Sequence, residues 1–260
     1  MVIKRDFTYT PTGQNRPLHI WLPENWRTSG DRYPVLYFFD GHNLFFNEDA
    51  TYGKSWGMKE FLETWDKDLI VVGIECGHGP GERLSEYLPY PSIPNSFCDG
   101  MAIMGDATLR WIAEEIKPVI DADYPTYPDR ACTAIGGSSM GGLMALYGVV
   151  HHNDIISKGA CISSSVSICM DPIRADMERT PMDPDTRVYL SWGTKEAHGG
   201  VADVWQEDTE SASYHWNREI ADRVEAAGAV SRIRCQVGSG HCEADWEKLV
   251  PEFMNFLWME

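Results

Sequence analysis

Apolar residues fall along the chain in short runs of strand length, most of them followed by a stretch with helical spacing. FTYTP and PLHIWLP read as two early strands. YPVLYFFD, over 33–40, is a continuous apolar run of buried-strand length, and LIVVGIE, over 69–75, is another. Between them SWGMKEFLETWDK is helix-like. A loop rich in Gly and Pro over 76–99 leads to TLRWIAEEIKPVIDADY, an amphipathic helix. The rest alternates: strand ACTAIGG, helix MGGLMALYGVV, strand GACISSS, a helix near PIRADMER, strand RVYLSWG, helix YHWNREIADRVEAAG, strand RIRCQVG and a closing helix from EADWEKLVPEFMNFLW. That order predicts an α/β fold, a mostly parallel sheet with helices on both faces. No repeat, low-complexity tract or linker interrupts it, so residues 1–260 are expected to form one domain. In such sheets sites lie beyond the carboxyl ends of the strands, so the residues just past each strand are the ones to inspect.

Composition adds exclusions. A hydrophobic fraction of 43% and a charged fraction of 23% are those of a soluble globular protein, and no apolar run has membrane-spanning length. MVIKRDFTYTP lacks the apolar core of a signal peptide. The seven cysteines are scattered singly, and Cys132, Cys161 and Cys235 sit in apolar strand-like runs. The expectation is free, buried thiols in a cytoplasmic, reducing setting, with neither a disulfide framework nor a zinc site. No cluster shows metal-ligand spacing, so neither a metal nor a cofactor is expected. A formal charge of −17 argues against nucleic acid and anionic membrane surfaces as partners. It leaves a small-molecule partner and a homo-oligomer open.

One stretch changes the picture. In CTAIGGSSMGGLMALYG an apolar run enters a cluster of glycines and serines, and an apolar run leaves it. Gly137-Ser138-Ser139-Met140-Gly141 matches G-x-S-x-G in the strand–turn–helix context that a nucleophile elbow requires. A second copy, Gly53-Lys54-Ser55-Trp56-Gly57, follows the polar FNEDATY and has no strand to feed it. A nucleophilic serine needs a base and an orienting acid. His241, in QVGSGHCEADW, lies past the last strand. His151 and His152 close a helix, and His19 sits within a strand. Glu196, in YLSWGTKEAHGG, lies three residues past the glycine that ends its strand. Asp203, Glu207, Asp208 and Glu210 are rivals in the acidic loop that follows. The order Ser139, Glu196, His241 is the Ser, acid, His order of α/β hydrolases. The oxyanion donors are expected at the amides of Met140 and His42, with Asn43 next in the FFDGHNLFF loop. Trp56, Tyr87, Trp192 and Trp205 are candidate aromatic walls, and Arg83 and Glu86 in GERLSEYLPYP either brace a loop or form a surface ion pair.

LYFFDGHNLFF, GERLSEYLPYP, GGSSMGGLMALYG, SWGTKE and GSGHCEADW occur in the order found in the esterase D-like group of α/β hydrolases, which the chain resembles over about residues 15–258. The group includes feruloyl and acetylxylan esterases, S-formylglutathione hydrolases, enterochelin-type siderophore esterases and mycolyltransferases. The resemblance implies an α/β-hydrolase fold with Ser139 as nucleophile, Glu196 in the GT-x-[DE] segment as acid and His241 as base. It implies hydrolysis of a carboxylic ester through an acyl-enzyme. The leading expectation is an acetyl or feruloyl ester of a carbohydrate. A siderophore trilactone, acyl transfer, and a catalytically silent fold that only binds are the alternatives. The insertion AHGGVADVWQEDTES after Glu196 departs from the group's pattern and bears on the choice of acid.

Overall fold

The computed structural model describes residues 1–260. Its strands are β1 (Val2–Tyr9), β2 (Gln14–Trp21), β3 (Val35–Phe39), β4 (Ile70–Ile74), β5 (Thr133–Ser138), β6 (Lys158–Ile162), β7 (Arg187–Gly193) and β8 (Val230–Gln236). They form one sheet in the order β1-β2-β4-β3-β5-β6-β7-β8. β2 pairs antiparallel with both β1 and β4, and every other neighbour is parallel. The expected mostly parallel sheet is present.

Alternate residues of the central strands enter two cores. Val35, Tyr37 and Phe39 join the larger one, while Leu36 and Phe38 join the smaller. Burial on both faces is why these strands read as unbroken apolar runs. The helices Met140–His151, Met170–Arg179 and Ala212–Ala226 and the segment 105–123 supply the larger core. The closing helix Val250–Trp258 covers the other face. The edge strands β1 and β8 are half-exposed, which weakens their apolar signal.

Three helical expectations shift. SWGMKEFLETWDK is helical only over Met58–Leu62. The loop over 76–99 contains a short helix, Glu82–Glu86. The long helix spans 105–123, with a wide π turn at Ile112–Ile116 just before Pro118, which has no N–H to donate.

Candidate active site

β5 ends at Ser138 and the next helix begins at Met140, so Ser139 turns the chain between them. Its backbone sits at φ 59°, ψ −122°, a conformation that favours glycine. Ser139 N donates to Ile162 O at 3.0 Å and Ser165 N donates to Ser139 O at 3.0 Å, so β6 and its loop pin the turn from both sides. Two neighbouring glycines are required by close approach. A Cβ on Gly137 would lie 2.6 Å from the Gly141 backbone, and one on Gly142 would lie 2.8 Å from Ile162 O. This crowding answers the glycine-rich sequence. The Ser139 hydroxyl is 3.3 Å from Ser165 Oγ, and no hydrogen bond joins it to His241. Both side chains nevertheless line one cleft of about 410 Å³.

His241 follows β8 and Glu196 follows β7. The two loops are tied to each other: Thr194 N donates to Gln236 O at 3.2 Å, and Lys195 N to Ser239 O at 3.0 Å. Asp245 accepts from Gly240 N at 2.7 Å and fixes the turn before His241. In this frame Glu196 Oε2 meets His241 Nδ1 in a short contact. Glu196 Oε1 accepts from Gly193 N at 2.7 Å and from the Ser163 hydroxyl, which itself accepts from Trp246 Nε1 at 2.9 Å. The Trp246 ring stands edge-on to the imidazole at 4.9 Å. Ser163 is a functional candidate that sequence reasoning did not single out. Its only signal was the serine run after β6.

Two of the rival acids, Asp208 and Asp203, are engaged elsewhere. Asp208 accepts from Trp192 Nε1 at 2.8 Å and from Ser211 N at 2.9 Å, and Ser211 caps the helix Ala212–Ala226. Its carboxyl is held below the usual range: burial would raise it, but the hydrogen bonds from Ser211 and Trp192 outweigh burial. Asp203 accepts from Trp205 N at 2.9 Å in an exposed turn.

Past β3, Asp40 takes a left-handed conformation (φ 57°) and starts the turn Gly41–Asn43. Gly41 presses against β4, where a Cβ would meet Gly73 C at 2.2 Å. Arg83 clamps Asp40 through two bonds of 2.7 Å. Burial would raise the Asp40 carboxyl, but Arg83 outweighs it and holds it below its ordinary value. Glu86 pairs instead with Arg16 at 2.6 Å and accepts from Gly77 N at 2.8 Å, so Arg83 and Glu86 do not pair with each other. Met140, the first helical residue, has no intrahelical acceptor for its N–H. The His42 amide follows Asp40 in the facing turn. Asn43 lines the cleft and its side chain accepts from Thr51 N at 2.9 Å.

Two of the candidate walls are core residues. Trp56 is 1% exposed and stacks on Trp246 at 5.5 Å, while Tyr87 is 1% exposed, packs on Phe39 and accepts from Asp40 N. Both are large apolar rings beside the sheet, and burial against it outcompetes lining a wet cleft. Trp192 lines a second pocket, of about 240 Å³, which His241 also borders, with Glu196, His198, Ser164, Ser165 and Trp216. Trp205 is exposed and packs under Lys195. Ser55, of the second G-x-S-x-G, is buried at a loop turn, away from any strand end. All seven cysteines are free. Cys132 and Cys235 are only half-buried, and Cys242 is exposed. No helix is long and apolar enough to cross a membrane.

The fold also gathers donors that are far apart in sequence. His42, Cys76 and His78 each present a ligand atom, all within 4.8 Å of one another. This departs from the expectation of no metal-ligand cluster, because the residues come from two different loops.

A strained serine at a strand–helix elbow, with a carboxylate-bound histidine in the same cleft, is the arrangement of an α/β hydrolase. Residues 10–259 match the family model Esterase, described as "Putative esterase". The chain belongs to this family of carboxylic-ester hydrolases. Protein YbbA of Bacillus subtilis is 26% identical over 185 residues, 70% of this chain and 69% of that protein. Among solved structures, an IroE-like serine hydrolase from Shewanella oneidensis has a TM-score of 0.73 at 17% identity, covering 98% of this chain and 80% of that one. The enterobactin esterase FES from Shigella flexneri, in the presence of enterobactin, scores 0.73 at 14% identity, over 100% of this chain and 59% of that one. A ferulic acid esterase scores 0.62 at 16% identity, over 99% and 97%. These likenesses show the α/β-hydrolase fold.

Proposed function

We propose that this esterase works through a Ser139–His241–Glu196 triad and an acyl-enzyme. The observation that carries the reading is the Glu196–His241 contact beside a serine held at φ 59°. Ser139 Oγ turns from Ser165 towards His241, gives its proton to Nε2 and attacks the acyl carbonyl. Such bonds are often loose until substrate binds. Glu196 keeps Nδ1 protonated, orients the ring and stabilises the imidazolium. The amides of Met140 and His42 receive the oxyanion. His241 then returns the proton to the leaving alcohol, and water, activated by the same imidazole, releases the acid.

The ester is read as an acetyl or feruloyl group on a carbohydrate. The support is the polarity of the pocket beside the triad. Ser191 Oγ, Ser164 Oγ and Asn217 Oδ1 are buried there with no partner, which suits a hydroxylated ligand. A catecholate trilactone would bring negative charge to a cleft that holds Asp40 and Glu243, where the Arg83 cation is already committed to Asp40. The half-exposed His241, open to water, favours hydrolysis over acyl transfer.

The test is labelling by a fluorophosphonate followed by an ester panel of acetyl, butyryl, feruloyl and trilactone substrates. Labelling should fall on Ser139, and Ser139→Ala should abolish it and lower turnover by about 10³-fold or more. Labelling of Ser55, or none at all, would refute the triad. A preference for the trilactone would refute the substrate reading alone.

A further inference from the structure

We propose that His42, Cys76 and His78 form a binding site for a divalent transition metal of the zinc class on the wall of the catalytic cleft. Three features support it. The first is the donor set, two imidazoles and a thiol, whose ligand atoms lie within 4.8 Å of one another. Two nitrogens and a sulfur suit zinc and its neighbours rather than magnesium or calcium. With metal–ligand bonds of about 2.0–2.3 Å, tetrahedral ligands stand roughly 3.5 Å apart. Closure therefore needs about 1 Å of contraction, and His78 is the member able to move. It is exposed and flanked by Gly77 and Gly79.

The second feature is the orientation of both rings by their outer nitrogens. His42 Nε2 bonds Thr51 Oγ1 at 2.9 Å, and His78 Nε2 bonds Glu75 Oε2 at 2.9 Å. With each Nε2 carrying the proton, each Nδ1 keeps its lone pair for a ligand. A carboxylate behind a metal-bound histidine is the usual second-layer support, and Glu75 is itself held by His19 at 2.6 Å. The third is a buried atom with nothing to bond. His42 is 7% exposed, and its Nδ1 is sealed from solvent with no partner. A buried acceptor without a donor is destabilising, and a metal ion would satisfy it.

Binding replaces the Cys76 S–H bond by a sulfur–metal bond and releases the proton to solvent. Three protein ligands leave a position for water or for a ligand atom of the ester. The ion would lie in the cleft that Ser139 and His241 line.

The metal-free chain is titrated with Co²⁺ and Zn²⁺. One equivalent of Co²⁺ should produce a thiolate-to-metal charge-transfer band, which one equivalent of Zn²⁺ removes. Cys76→Ser should abolish the band, His78→Ala should weaken Zn²⁺ binding at least 10-fold, and Glu75→Gln by about 10–100-fold. Melting curves of the metal-free variants separate ligand loss from misfolding, and the exposed His78 makes His78→Ala decisive should Cys76→Ser not fold. Ser139→Ala should bind metal as the parent does, so the result is independent of the catalytic reading. No band, a band that survives in Cys76→Ser, or one lost instead in Cys242→Ser, the exposed thiol beside Asp245, would overturn the site.

Discussion

Replacing Ser139 by glycine should abolish turnover and stabilise the fold, and the size of the gain follows from the backbone. At φ 59° and ψ −122° a residue with a Cβ is strained by about 1–3 kcal/mol. Glycine removes that strain but loosens the unfolded chain, which costs about 0.4–1 kcal/mol. The comparison that isolates strain is with Ser139→Ala. Both variants lose the hydroxyl and its 3.3 Å approach to Ser165 equally, while only alanine keeps the Cβ. The glycine variant should therefore exceed the alanine variant by about 1 kcal/mol, or roughly 2–4 °C in Tm for a chain of this length. Calorimetry of the two variants at one pH and salt concentration reads the difference directly. An alanine variant as stable as the glycine variant, or more so, would mean that the elbow stores no strain.

Glu196→Gln should lower kcat by about 10³–10⁴-fold, while Asp203→Asn and Glu207→Gln keep most activity; stopped ester assays on the three settle the acid. Ser163→Ala should lower kcat by roughly fivefold with KM little changed, because about 1 kcal/mol of carboxylate orientation is lost. Equal changes in both constants would refute that role. Arg83→Met leaves Asp40 buried without its cation and should cost about 2–3 kcal/mol, less than a fully buried pair because Arg83 is 31% exposed. The folded Asp40 carboxyl is depressed, so this contribution is present above its unfolded value of about 3.9 and is lost as pH falls through the lower folded value. Urea melts should show a gap between parent and Arg83→Met that is constant near neutrality, begins to narrow where the variant's uncompensated Asp40 takes up a proton, and is gone below the parent's depressed value. A gap that widens in acid would reverse the assignment.

The parts of this molecule legible in sequence are those whose cause is local. Continuous apolar runs announced strands buried on both faces, and the glycines around Ser139 announced a backbone crowded by its neighbours. The apolar pattern shows β1 only from Phe7 onward, because the strand lies at the edge and its half-exposed and exposed residues Val2–Asp6 carry little apolar signal. Trp56 and Tyr87 fill the core rather than wall the cleft, a difference sequence does not show because an aromatic ring looks the same whether it lines a cleft or fills a core. The Arg83–Asp40 clamp, the Ser163–Glu196 bond and the His42, Cys76 and His78 cluster were invisible for another reason: each joins loops that only the sheet order brings together.

The acid and the base show where that boundary falls. SWGTKE and GSGHC each place a polar residue beyond a strand, but neither segment states that Glu196 and His241 meet. Their meeting depends on the register of β7 against β8, in which Gly193 stands opposite Gln236. From that pair the two loops run on in step, with Lys195 N bonded to Ser239 O, and deliver the carboxylate to the imidazole. A shift of one residue would turn the strand's side chains to the opposite faces and break these loop bonds. Tyr189, buried on one face of β7, and Val188 and Leu190, buried on the other, make that slip expensive. The apolar packing of β7 therefore holds the geometry of the site, although none of those residues touches the cleft.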